Sequence, residues 1–383
     1  MLARGRGTTH ARVAAMKTAT LPPLHGRALA VLALLLAAVP ADAAGRIPVR
    51  VIVLCGFEVG DDTGDAPGEF QHWFERERLF ERIDVPGAPH PLCRNSEGLY
   101  ADVGGNTRDP QLTPVTTSEL VMALCLDPRF DLRRTYWLVN GISGIDPASG
   151  PIGSAVWSEY VVDGDALREV DEAEMPAGWP YGLFAIDADG PGHLPGEGGR
   201  VGGWNGAKLE YTMAYHLNGA LARWACGVAS AVRLPDSPAL KALRGRYTGY
   251  PLAQLPPRVM MGDSLGTARY WHGARRTQWA RDWVKAWTGG KGTFSTTSME
   301  QQDYIGTLTR MAARGFLDIN RVMLMRTASN YSMPPPGQRV ETSIGDESVG
   351  TGAALESAYL AGSAVAHEIL RHWDRYESAP PGG

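Results

Sequence analysis

Cysteine, clustered histidine, basic surface stretches and membrane-length apolar runs are all scarce in this chain of 383 residues, and each scarcity removes a class of function. The four cysteines, Cys55, Cys93, Cys125 and Cys226, contain no C-x-x-C pair, and the nine histidines form no metal-type pair, so no metal centre and no cofactor is expected. An oxidising compartment permits one or two disulfides, but Cys55 closes an apolar stretch and Cys125 falls on an apolar helical face. Buried free thiols are therefore expected. Basic and acidic residues number 37 and 41, a net charge of −4, and they are interspersed, which argues against nucleic acid as a partner. With 44% apolar and 20% charged residues, the chain buries a sizeable core as one large domain or two small ones, and no linker or repeat divides it.

One apolar run stands out, Ala28 to Val39, and at about a dozen residues it is short of the roughly 20 needed to span a bilayer. Basic residues up to Arg27 precede it, and Pro40 and Ala41-Asp42-Ala43 follow, the pattern of a cleaved secretory signal over residues 1–43. Cleavage after Ala43 or Ala44 predicts a mature chain from about Gly45, hence a periplasmic or secreted location. Met16-Lys17 is an alternative start that leaves a complete signal. Residues 46–376 are expected to form one α/β domain, with 377–383 a flexible tail.

Within that domain, Val49 to Cys55 reads as a buried strand, Gly56 to Gly68 as a loop and Glu69 to Leu79 as a helix. Thr135 to Val139 followed by a loop from Asn140 to Gly153, and Arg321 to Met325 followed by a loop from Thr327 to Gly337, repeat the order of strand and glycine-rich or polar loop. Helices are predicted over Thr117 to Leu126, Ala207 to Ala225, Met299 to Arg314 and Ala353 to Trp373. This is an α/β pattern with sites at strand ends.

The loop Gly56 to Glu69 holds five carboxylates, and crowded carboxylates raise one another's pKa, which suits a general base, a sugar-hydroxyl clamp or a cation site. Glu58, Asp65 and Glu69 are the candidate catalytic groups; a solvated turn that caps the next helix is the plainer alternative. Asn140-Gly141-Ile142-Ser143-Gly144 offers small residues that admit a flat ligand. Ser329-Asn330-Tyr331 offers a side-chain amide that donates and accepts in one plane, as a purine edge requires. Ser264, in Gly262-Asp263-Ser264-Leu265-Gly266, either contacts ligand or caps a helix, as does Arg269. Trp271 and His272 either stack on a base or form a packed aromatic corner.

Together these segments resemble the purine nucleoside permease family across nearly the whole mature chain. The likeness rests on G-D-x-P-G-E-F at Gly64 to Phe70, N-G-I-x-G-I-D-P at Asn140 to Pro147, G-S-A-V-W at Gly153 to Trp157, and M-P-x-G-W-P-Y-G at Met175 to Gly182. It continues in N-G-A-K-L-E-Y at Asn205 to Tyr211, G-D-S-L-G at Gly262 to Gly266, and R-T-A-S-N-Y at Arg326 to Tyr331. More distantly the chain is similar to the nucleoside phosphorylase and nucleosidase superfamily, which implies a single domain with a mixed β-sheet flanked by helices. That likeness implies a sugar contact from Met299 and a ribose-hydroxyl clamp from Glu300. It also implies base contacts from Ser329 and Asn330, and a ligand-lining role for Asn140, Gly141, Ser143 and Gly144. Two functions follow from it: a purine nucleoside-binding uptake component that works with a membrane partner, or a purine nucleosidase or phosphorylase-like enzyme, with phosphate as co-substrate only in the phosphorolytic case. Homo-oligomers occur among such folds and are compatible with this chain.

Overall fold

Val51–Cys55 is apolar at every position and wholly buried, because it runs through the centre of a sheet with helices on both faces. Its side chains alternate. Val51, Val53 and Cys55 join one core with Trp73, Val365 and Ile369, while Ile52 and Leu54 join a second core with Leu120, Ile305 and Leu308 on the opposite face. The computed structural model describes residues 45–105, 114–196, 211–346 and 348–382. The proposed signal segment and the N-G-A-K-L-E-Y motif up to Glu210 lie outside these residues.

Among the described residues the main sheet has 12 strands. Its central path runs Tyr160–Asp163, Asp263–Gly266, Phe294–Ser298, Tyr136–Ile145, Val51–Cys55, Leu99–Val103. Val322–Tyr331 pairs in parallel with Tyr136–Ile145 along nearly its whole length. Parallel and antiparallel pairs coexist, and the helices Pro114–Leu126 and Gln301–Ala313 pack on one face, with Gly219–Ala229 and the long Ser348–Arg371 on the other. The expected mixed sheet flanked by helices is what forms. All four cysteines are unbridged, and Cys226 alone is not fully buried.

Three local expectations need correction. Asn140 to Ile145 is strand rather than loop, and so is Thr327 to Tyr331, because both segments continue 10-residue strands. Their glycines and small polar residues look loop-like in sequence, yet they are small because other side chains occupy the space beside them. Of the helix predicted over Ala207 to Ala225, the described part from Tyr211 on is instead a strand, Ala214–His216, and a helix that starts at Gly219, where Asn218 Oδ1 accepts from the N–H groups of Ala220 and Leu221. At the C-terminal end of the domain Arg321 donates to the carbonyls of Tyr376 and Glu377. No helix among the described residues is long and apolar enough to cross a membrane.

Candidate functional site

The strand Tyr136–Ile145 changes partners on one edge. Tyr136 to Asn140 pair with Val51–Cys55, whereas Gly144 and Ile145 pair with Thr297 and Thr296. Since Val322–Tyr331 covers the other edge, Gly141 to Ser143 face a gap between two diverging strands. Buried backbone donors in such a gap need acceptors. Glu69 supplies them: Oε1 accepts from Ile142 N–H at 2.6 Å and Oε2 from Gly56 N–H at 2.6 Å, so one carboxylate bridges both strands. Burial, and next the neighbouring charge of Glu300, push the Glu69 pKa up to about 8 against the opposing pull of Arg326 and the two N–H groups.

Arg326 is the cation of this floor. It projects from Val322–Tyr331, is wholly buried, and brings Nη2 to 2.6 Å from Glu300 Oε1 and Nη1 to 4.0 Å from Glu69 Oε1. The Glu300 contact is an ion pair without hydrogen-bond alignment, and Nε, Nη1 and Nη2 have no hydrogen-bond partner among the described residues. Gly141 is required here. A Cβ at that position would collide with Arg326 Nη1 and Glu69 Oε1, and a Cβ at Gly56 would stand 2.8 Å from the Glu300 carboxylate. Glu300 itself lies between the strand Phe294–Ser298 and the helix Gln301–Ala313, at whose N-cap it stands, with its Oε2 accepting from Met299 N–H at 3.1 Å.

Across the cleft the strand Val322–Tyr331 slips register between Ala328 and Asn330, a bulge that re-aims Asn330 toward solvent. The single Ser329 O–H is shared between Ser143 O at 3.1 Å and Asn330 Oδ1 at 2.9 Å, and Asn330 Nδ2 donates to Tyr331 O at 3.2 Å. Glu69, Ile142, Gly144, Met299, Glu300, Ser329 and Asn330 thus line one cleft of about 210 Å³, closed on another side by Arg269, Tyr270 and Trp271. Trp271 forms the packed aromatic corner, edge-on to Trp279, and also lines the cleft, whereas His272 turns away to Ser343 at 3.0 Å. A larger, mostly apolar groove of about 590 Å³, at Met122 and Leu126, has as its charged lining Glu119 and the mutually paired Asp127 and Arg129, and none of the sequence candidates.

Several sequence candidates lie elsewhere. Glu58 is wholly buried and spends its carboxylate on the N–H groups of Val59, Gly68, Phe70 and Gln71, so it shapes the loop and caps the helix Gln71–Arg76 instead of facing the cleft. Asp65 is exposed on that loop, accepting from Asp61 N–H. Asn140 donates to Ala358 O at 3.0 Å beneath the long helix. Ser264 is buried between strands against Thr296 and Gln301, and the Tyr331 hydroxyl is held by Ile152 N–H and Ala253 O. Ser143 contacts Thr327 O and, through its carbonyl, orients Ser329. Residue-by-residue reading missed Arg326 as a charge partner, although it opens the R-T-A-S-N-Y motif. It also missed Ser298, which lines the cleft and whose Oγ has no partner among the described residues.

The purine nucleoside permease family model matches residues 48–381. A purine nucleoside permease of Candida albicans is 28% identical over 318 residues, covering 80% of this chain and 73% of that protein. A probable purine nucleoside permease of Schizosaccharomyces pombe is 29% identical over 293 residues, covering 72% and 80%. Among solved structures, a 5'-methylthioadenosine/S-adenosylhomocysteine nucleosidase of Neisseria meningitidis shares 11% identity at a TM-score of 0.48, over 84% of this chain and 100% of that one. A futalosine hydrolase of Helicobacter pylori shares 11% at 0.46, over 84% and 98%. At such scores no feature of either enzyme is carried over. The family match spans almost the whole described domain and contains every residue of the cleft: the chain belongs to the purine nucleoside permease family.

Proposed function

We propose that the cleft binds a purine nucleoside, with the ribose hydroxyls on Glu300 and the purine edge on Asn330, and that the chain works outside the cytoplasm as the binding component of nucleoside uptake. The observation that carries this reading is the floor: two carboxylates, Glu69 and Glu300, converge on one buried guanidinium, with a side-chain amide on the opposite wall. Carboxylates accept from neutral hydroxyls and repel anions, so the floor suits a sugar and not a phosphate. Arg326 sits behind the carboxylates and does not line the cleft, so its charge is directed at them. The cation that does line it, Arg269, lies half-exposed 3.7 Å from Glu169. Export rests on the signal pattern before Gly45, and transport requires a membrane partner in this reading.

Cleavage of the N-glycosidic bond is the second reading, and one observation favours it. A buried carboxyl with a pKa near 8 is ionised, and so able to act as a general base for water, from about pH 8 upward. Asn330 stabilises a departing base by hydrogen bonding but holds no proton to give, so hydrolysis would depend on activated water more than on acid catalysis. The test is incubation of the signal-free protein with inosine, guanosine and adenosine, with and without phosphate, following free base by chromatography beside calorimetric binding. Saturable binding without base release supports the uptake component. Release without phosphate supports hydrolysis by activated water, and release only with phosphate refutes the assignment of the floor to neutral hydroxyls. No binding of any nucleoside sinks the proposal.

A further inference from the structure

Apart from the cleft, three side chains of metal-ligating type face one another. Asp62 comes from the acidic loop, His90 from the approach to the strand Leu92–Arg94 and Cys93 from that strand; one donor atom of each lies within 4.8 Å of the others. Asp62 and Cys93 are buried, and the His90 side chain keeps 14% exposure, which leaves a path from solvent. His90 presents Nε2 to both Asp62 oxygens at 3.2 Å. Its Nδ1 faces Asp102 Oδ1 at 3.0 Å. Asp102 is wholly buried, its Oδ1 also accepts from Val103 N–H, and its Oδ2 has no hydrogen-bond partner among the described residues. A carboxylate on Nδ1–H is the usual outer support of a metal-bound imidazole, because it fixes the tautomer that leaves the Nε2 lone pair free. Arg82 Nη2 takes Asp62 Oδ2 at 2.6 Å, so Oδ1 remains for an ion.

We propose that Asp62, His90 and Cys93 bind a divalent cation of the zinc class, with Asp102 orienting His90 and the fourth position left to water. One thiolate, one imidazole and one carboxylate match the donor preference of zinc and not of calcium or magnesium. Tetrahedral zinc with bonds of roughly 2.0–2.3 Å needs donors about 3.3–3.8 Å apart. The Asp62–His90 separation of 3.2 Å is already of that size, so binding requires mainly that Cys93 Sγ turn from Pro91 O, its present acceptor at 3.4 Å. A protonated His90 held between Asp62 and Asp102 would account for the same carboxylate contacts without an ion, but it gives Cys93 no part, so Cys93 decides. The ion would pin the acidic loop to the sheet edge just behind Phe70, whose ring stands 5.1 Å from that of His90 and which follows Glu69 directly.

The test is chelator treatment of the purified reduced protein, then titration with zinc followed by elemental analysis, and with cobalt(II) followed by its thiolate charge-transfer absorption. One zinc per chain and a charge-transfer band are expected. Cys93→Ser should abolish the band and His90→Gln the zinc binding, Asp102→Asn should weaken binding about 10- to 100-fold, and Cys226→Ser should change nothing. Absence of zinc uptake or of the cobalt band in the unmutated protein overturns the site whatever the variants do. So does zinc uptake that survives both Cys93→Ser and His90→Gln.

Discussion

Replacing Arg326 by methionine removes the positive charge of the cleft floor while keeping an unbranched side chain of similar reach. The guanidinium is wholly buried, 2.6 Å from one Glu300 oxygen and 4.0 Å from one Glu69 oxygen. At an effective dielectric of about 20, a unit pair 4 Å apart is worth about 4 kcal/mol, and breaking a buried pair typically costs about 3–5 kcal/mol because the other charge is left behind. Glu69, with its pKa pushed up to about 8, is largely neutral at pH 7, so the loss there falls mainly on Glu300. At pH 9, above that value, Glu69 carries its charge and the cost should be larger. Arg326→Met is therefore expected to lose about 3–5 kcal/mol at pH 7, and Arg326→Met with Glu300→Gln to recover at least about 1–2 kcal/mol of that loss. Guanidinium denaturation followed by tryptophan fluorescence measures each corner of the cycle at both pH values. A single variant within about 1 kcal/mol of the parent protein, or an additive double variant, would show that the guanidinium does not hold these carboxylates.

Four further outcomes follow from the same cleft. Gly141→Ala places a Cβ against Arg326 Nη1 and Glu69 Oε1; calorimetry should show nucleoside affinity down about tenfold or more, with a stability loss of about 1–3 kcal/mol. Glu300→Gln should weaken binding of ribonucleosides far more than of free bases, and an equal effect on both would remove the sugar role. Asn330→Ala should cost roughly 1–3 kcal/mol of purine affinity, and unchanged affinity would place the base elsewhere. Glu69 has a folded pKa near 8 against its ordinary 4.5, so the folded state holds a proton that the unfolded chain releases. That contribution to stability is complete below about pH 4.5 and is lost as pH rises to about 8. Denaturation midpoints should fall across that window, and Glu69→Gln should flatten the slope; the same slope in both proteins would assign the titration to another group, such as Asp303, raised to about 7.

The fold was legible wherever burial imposes a simple period. Val51–Cys55 and the helices Gln301–Ala313 and Ser348–Arg371 each carry apolar residues at the spacing their cores demand. It was least legible at the site, and for the reason that makes it a site. Gly141 and Gly144 lie in a central strand, where β-branched residues would normally pack, because Glu69, Arg326 and Asn330 from other segments reach into that space. A residue-type signal reports the missing side chain and cannot report what fills the gap, so the strand reads as a loop. The same limit separates the carboxylates of the acidic loop. Glu58 and Glu69 are both buried acids flanking one glycine-rich turn, and nothing in their types distinguishes them. Chain reversal does: Glu58 meets the N–H groups of its own loop and the next helix, whereas Glu69 meets Ile142, 73 residues away, at the gap where two strands part. The position of the candidate cleft in this chain is thus set by where the central strand changes partners, a property of sheet register, and register is fixed only when the whole sheet has assembled.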